Sequence, residues 1–202
     1  MSKDKLSTSF IFKGFHNTLV TEFGEATAEL IWRNANLRYE TLSKDYPNLD
    51  SDSRMMILPA AALLGALKKY APEQALSLLT AYGIQMGEKI AKIVHNLTSI
   101  PGVPSLLWRN MPKLMRTMSS PKKGYTRRIV SETSELVGVD ILSCPLHDAA
   151  VKIGMPESAL IVCAMDKAYM TGFKHIRYTR TISVAEGAQC CDYRLMYDKN
   201  KE

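Results

Sequence analysis

The chain has 202 residues, 46% of them hydrophobic and 23% charged, proportions that exclude intrinsic disorder and collagen-like repetition. Four cysteines are too few for a disulfide scaffold at this length, and the formal net charge of +6 is basic without the density of a basic tail. The start MSKDKLSTSF has no apolar core to serve as a signal peptide, and the apolar run Met55–Leu67 is too short to span a bilayer, so the expectation is a cytoplasmic protein without a membrane span.

In chain order, Leu19, Phe23, Leu30, Asn34, Leu37 and Thr41 recur at three- and four-residue steps. This predicts one long helix over Phe15–Leu42, stopped at Asp45-Tyr46-Pro47. Asp50-Ser51-Asp52 starts like a calcium loop but lacks the glycine and the closing glutamate. A second helix is expected over Ser53–Tyr70, bent at Pro59, because proline removes a backbone donor. Pro72 and Glu73 open a third, reaching about Leu97 on a stripe of Leu76, Leu79, Tyr82, Met86, Ile90 and Ile93. Pro101, Gly102 and Pro104 precede a fourth, Val103–Met118, with Leu106, Leu107, Met111, Leu114, Met115 and Met118 at helical spacing.

This fourth helix lies in an acid-free stretch. Between Glu88 and Glu132 stand Lys89, Lys92, Arg109, Lys113, Arg116, Lys122, Lys123, Arg127 and Arg128, leaving 17 basic against 20 acidic residues elsewhere. A solvated helix face followed by a basic loop accounts for the pattern most simply. The sharper readings are an anionic substrate, an acidic partner, a membrane surface or nucleic acid. Nucleic acid is disfavoured, because Tyr125 amid Lys122, Lys123, Arg127 and Arg128 gives one stacking platform, which is thin support.

After Pro121 the chain becomes rich in β-branched residues. Tyr125–Ser131 and Glu135–Leu142 read as two antiparallel strands. Pro145–Ile153 reads as a short helix, and Pro156-Glu157 opens another that runs to Tyr169 or Met170. Lys174–Ala185 and Cys190–Tyr197, separated by Glu186-Gly187-Ala188-Gln189, read as a β-hairpin. The fold class is therefore α+β. A single domain over 1–202 is expected, its helical part at about 15–119 and a small antiparallel sheet with inserted helices at about 122–198. The helical half is compatible with a homo-oligomer.

All four cysteines, Cys144, Cys163, Cys190 and Cys191, lie in the last third. Cys144 follows the second strand. Cys163 and Asp166 are one helical turn apart and share a face. Strand alternation places Arg180 with Ile176, Tyr178, Ile182 and Val184, and Cys191 with Tyr193, Leu195 and Tyr197. Arg180 and Cys191 should thus both point inward. A buried arginine needs an anion: Asp166, Glu186, Asp192 or a ligand carboxylate. Core cysteines beside a structural Arg–acid pair would explain the same pattern. Zinc is a weaker alternative, with three thiolates and an acid or His147 as ligands, since no C-x2-C pair is present. No metal or other cofactor is assigned.

Ser143-Cys144-Pro145, Gly154-Met155-Pro156-Glu157, Cys163-Ala164-Met165-Asp166, Arg180-Thr181, Glu186-Gly187 and Cys191-Asp192-Tyr193-Arg194 occur in that order. The set resembles the L-2-amino-thiazoline-4-carboxylic acid hydrolase family, well over roughly 125–195 and in layout only before that. Tyr193 stands where phenylalanine is usual, and Cys190 is an additional thiol. The resemblance implies hydrolytic opening of a carboxylate-bearing cyclic isothiourea to N-carbamoyl-L-cysteine. The partner would be a small anionic substrate. Either a thiolate attacks the carbon between nitrogen and sulfur, Cys191 or Cys144 ahead of Cys163, or Asp166 or Asp192 acts as general base on water. Arg180 would clamp the substrate carboxylate. Thr181 beside it and His147 are the further substrate-binding candidates. The alternative is a non-catalytic small-molecule-binding or sensor domain of the vinyl-4-reductase-like type.

Overall fold

The computed structural model describes residues 6–201. Among them are seven α-helices, mostly N-terminal, followed by a four-stranded antiparallel sheet with helices inserted, an α+β fold. The helices are α1 (Phe15–Phe23), α2 (Glu25–Asp45), α3 (Ser51–Leu67), α4 (Pro72–Thr98), α5 (Val103–Met118), α6 (Pro145–Lys152) and α7 (Ser158–Tyr169). The strands are β1 (Thr126–Glu132), β2 (Leu136–Ser143), β3 (Ile176–Thr179) and β4 (Cys191–Tyr197). None of these helices is long and apolar enough to cross a membrane. The chain divides into two compact units, one formed by residues 1–84 and 148–164, the other by 85–147 and 165–202.

The first unit is helical. The long helix expected over Phe15–Leu42 is instead two, α1 and α2, parted at Gly24, whose φ of 75° suits glycine. Periodicity runs through such a break, which is why the pattern alone missed it. Asp50 finds its use as the N-cap of α3: its carboxylate accepts from the Asp52 and Ser53 amides at 3.0 and 2.9 Å. Every residue of α3 from Ile57 to Leu67 is buried, Pro59 included, and the helix continues through that proline. Phe12, Phe15, Leu19 and Ile31 complete the centre of this core.

The second unit holds the sheet, in strand order β1-β2-β4-β3. Alternation along the strands puts Val137, Val139, Ile141, Ile176, Cys191 and Leu195 on one face, where they pack with Met111 and Met115 of α5. Trp108 ties α5 to the sheet. Its indole N–H donates to the Ser134 carbonyl at 2.7 Å, and its ring stacks on Tyr197. The opposite face carries Asp140, buried at 4% exposure. Arg128 and Arg194 hold it at 2.6 and 2.8 Å.

Part of the basic stretch is thereby accounted for. Arg116 pairs with Glu132, Arg127 donates to the Ser119 carbonyl at the end of α5, and Arg128 serves Asp140. Lys89, Lys92, Arg109, Lys113, Lys122 and Lys123 are exposed.

The final hairpin differs from expectation. β3 ends at Thr179, and its pairing with β4 runs from Ile176↔Tyr197 to Thr179↔Arg194. Residues 180–190 therefore form an excursion containing a short 3-10 turn at Val184–Glu186, not a four-residue turn between long strands. Ile182, placed inward by strand alternation, is 43% exposed as a result.

Candidate functional site

Arg180 directly follows β3, which ends at Thr179. The Arg180 side chain turns into the protein, where it is 7% exposed. One guanidinium nitrogen donates to Asp166 Oδ2 at 3.1 Å and to the Tyr193 hydroxyl at 3.1 Å. The Tyr193 hydroxyl in turn donates to the same Asp166 oxygen at 2.8 Å. The guanidinium carbon also lies 5.5 Å from the centre of the Tyr193 ring, a cation–π contact. Asp166 comes from the last turns of α7, Arg180 from the end of β3 and Tyr193 from β4. Three distant parts of the chain thus close one triangle of charge-assisted hydrogen bonds.

Close helix packing places Asp166. A Cβ added to Gly87 of α4 would lie 2.4 Å from the Met165 carbonyl and 2.6 Å from the Ala168 methyl. Only glycine lets α4 and this end of α7 approach so nearly. Further on, Gly172 stands equally close to the backbone of Ala91.

Asp166 lines a cavity of about 170 Å³. Its side chain keeps 27% of its surface accessible although Arg180 beside it keeps 6%. The rest of the wall is mainly hydrocarbon: Met111, Leu114, Met115 and Met118 from α5, Ile141 from β2, then Met170 and Phe173. Ser119 and the rings of Tyr125, Tyr169 and Tyr193 complete it.

Burial raises the Asp166 carboxyl above its ordinary value, although the Arg180 charge and the Tyr193 hydrogen bond pull it down. Burial likewise raises the hydroxyls of Tyr169, Tyr178 and Tyr193, so all three keep their protons at neutral pH. The Tyr178 hydroxyl is buried and has no hydrogen-bond partner among the described residues. Its ring packs 5.7 Å from that of Tyr193, and the charges of Asp166 and Arg180 reach it.

Cys191 lies beside this cluster on the core face of β4, 5% exposed. Its sulfur accepts the Val184 amide at 3.3 Å. Burial pushes the thiol up, against the Val184 hydrogen bond and the Arg180 charge. Cys144 is half-buried against the same core cluster and is close enough to influence Cys191 electrostatically. Neither is a wall of the cavity. Cys163 stands one turn before Asp166, in the part of α7 that belongs to the first unit. None of the four cysteines is in a disulfide.

Asp192 faces away from Cys191, as strand alternation requires. Its carboxylate accepts the Thr181 hydroxyl at 2.6 Å and the Thr181 and Ile182 amides at 2.8 and 2.9 Å. Thr181 and Asp192 therefore fasten the start of the 180–190 excursion, which fixes where Arg180 turns inward. His147 lies half-buried on α6, and it does not line the cavity. Among the described residues no three of His, Cys, Asp and Glu are grouped to hold a metal ion.

The structure thus unites Asp166, Arg180 and Cys191, with Cys144 adjoining. The roles of Tyr193, Tyr169, Tyr178 and the methionines of α5 were missed in the sequence. The available signal was Tyr193 itself, a hydroxyl at a position where phenylalanine is usual and on the same strand face as Cys191.

The family model described as L-2-amino-thiazoline-4-carboxylic acid hydrolase matches residues 52–195. No curated protein matches the chain. Among solved structures, a trafficking protein particle complex subunit 3 from Naegleria fowleri, covalently bound to palmitic acid, is similar at 12% identity and a TM-score of 0.41, over 75% of this chain and 98% of that one. An Fe(II) unliganded H-NOX protein from K. algicida is similar at 13% identity and a TM-score of 0.39, over 95% of this chain and 97% of that one.

Proposed function

The chain belongs to the L-2-amino-thiazoline-4-carboxylic acid hydrolase family, and on that premise we propose that it hydrolyses a cyclic amidine or isothiourea by acid–base chemistry centred on Asp166. One observation carries this reading: Asp166 is the carboxyl that both lines the cavity and is held by Arg180 and Tyr193. A carboxyl raised by burial suits proton transfer near neutral pH better than an ordinary one. The cysteines support a nucleophilic role less well. Cys191 is buried, its thiol is raised rather than lowered, and thiolate character is what makes a cysteine reactive.

In this scheme Asp166 takes a proton from a water as its oxygen bonds to C2, the carbon between ring nitrogen and sulfur. The ring nitrogen takes a proton from solvent as its double bond to C2 is lost. The C2–S bond then breaks as the new C2 hydroxyl becomes the carbonyl and releases its proton to solvent, and Asp166 returns the proton it took from water to the departing sulfur. One water is consumed, and the product from the parent thiazoline acid is N-carbamoyl-L-cysteine. Arg180 acts as a positioning residue. It fixes the carboxyl oxygen and contributes the positive potential toward which a substrate carboxylate orients.

The test is turnover of L-2-amino-thiazoline-4-carboxylate by purified protein. Asp166→Asn should reduce kcat by roughly 100-fold or more, the usual worth of a general acid–base. Cys191→Ala should leave it within a few-fold. The opposite pattern would transfer the chemistry to the thiol. A wild-type protein with no turnover would support the second reading, a small-molecule-binding domain of the vinyl-4-reductase-like type, which the hydrocarbon wall of the cavity favours.

A further inference from the structure

The parent thiazoline acid is small and, apart from its ring sulfur and methylene, polar, so it would leave much of this hydrocarbon wall unmatched. Asp166 and Tyr193 are hydrogen-bonded to each other in this wall, whereas Met111, Met115, Met118, Met170, Leu114 and Phe173 supply most of its hydrocarbon. Four of those six are methionines, whose unbranched, polarizable side chains reshape around an apolar guest. The volume is also informative. An apolar cavity of about 150 Å³ stays dry and takes up a benzene-sized molecule, and this one is about 170 Å³. A ring of that size, or a branched alkyl group of similar bulk, would occupy the part of it walled by the methionines. A long chain would not fit within it.

We propose that the ligand of this site carries one apolar substituent the size of a single aromatic ring, lodged against the α5 methionines, with its polar end at Asp166 and Tyr193. As a statement about substrate choice, this rests on the hydrolase reading above. Met118 is one of the residues that line the cavity. It is 44% exposed and tolerates a larger side chain without disturbing the core.

The experiment has two arms. In the first, kcat/KM is compared for 2-amino-thiazoline-4-carboxylate and its 5-phenyl and 5-isobutyl derivatives. The substituted compounds should be preferred by about tenfold or more, the range a filled apolar pocket supplies. Met118→Trp should erase most of that preference. In the second arm, toluene alone is titrated into wild-type and Met118→Trp protein, followed by amide NMR shifts. Saturable binding with shifts at Met111, Met115 and Phe173, lost in the tryptophan variant, is expected. Toluene binding without turnover of any thiazoline would uphold the apolar subsite and defeat the hydrolase reading. Turnover of the parent compound with no preference for the substituted ones, and no toluene binding, would overturn the subsite and leave the hydrolase intact.

Discussion

The Tyr193 hydroxyl is 2.8 Å from Asp166 Oδ2 and 3.1 Å from an Arg180 nitrogen, so one phenol serves as donor to the acid and acceptor from the base. Among the influences on Asp166, the Tyr193 hydrogen bond lowers its pKa while burial raises it. Removing the hydroxyl should therefore let burial prevail further. Tyr193→Phe keeps the ring, and phenylalanine is the residue the family pattern carries there. The direct contact between Arg180 and Asp166, 3.1 Å in this protein, does not pass through the hydroxyl. The Asp166 carboxyl should then titrate higher than in wild type. Carboxyl carbon NMR of the two proteins measures the shift without any substrate. A lower value in the variant would mean that the hydroxyl does not act on the ionised acid.

Stability in acid should be governed by the other face of the sheet. Burial pushes the Asp140 carboxyl up, but hydrogen bonds and charge from Arg128 and Arg194 outweigh it and leave the group below its ordinary value of 3.8. Asp192 is lowered in the same way, through Thr181 and Ile182. An acid whose pKa is depressed on folding stabilises fully above its unfolded value, and that stability is lost as pH falls through the folded value. Asp166 acts with the opposite sign. Its raised value makes the folded state bind the proton more tightly, so it weakens the fold as pH rises from 3.8 toward its own pKa. Urea unfolding of wild type should thus lose stability steeply below about pH 4. Asp140→Asn should be less stable at pH 7 by about 1–3 kcal/mol, because the amide keeps one acceptor oxygen but offers the two arginines no charge, and should show a flatter acid limb. An unchanged acid limb in that variant would show that Asp140 carries none of the dependence.

Much of this architecture was legible because it depends on local pattern. The helix over Val103–Met118 has the bounds its spacing predicts, since the flanking glycine and prolines and the apolar stripe agree. Inward placement of Arg180 and Cys191 also follows the strand reading. What could not be read depends on tertiary geometry. Arg180 leaves the strand to reach Asp166, and this shortens β3 to four residues, an outcome decided by a partner 14 positions away. The α5 methionines look like any core-facing stripe. That they border an empty space follows from how α5 lies over β2 and β4, not from their spacing.

The same dependence on packing gives a test far from the polar groups. Gly87 meets the carbonyl of Met165, the residue just before Asp166, and backbone cannot move aside as a flexible side-chain end can. Even a methyl there must push this end of α7 from α4. Gly87→Ala should destabilise the protein by about 1–3 kcal/mol, the cost of overpacking a close contact. It gains some helix propensity, so the measured loss will be smaller than the clash alone. Glu88→Ala, one position on and exposed, should stay within about 0.5 kcal/mol of wild type. Thermal unfolding compares the two. The Gly87 variant should also disturb the Asp166–Arg180–Tyr193 triangle, visible as changed amide shifts at Asp166 and Tyr193 that Glu88→Ala does not produce. Equal stability of both variants would show that α4 and α7 have slack at this crossing, and the position of Asp166 would then need another support.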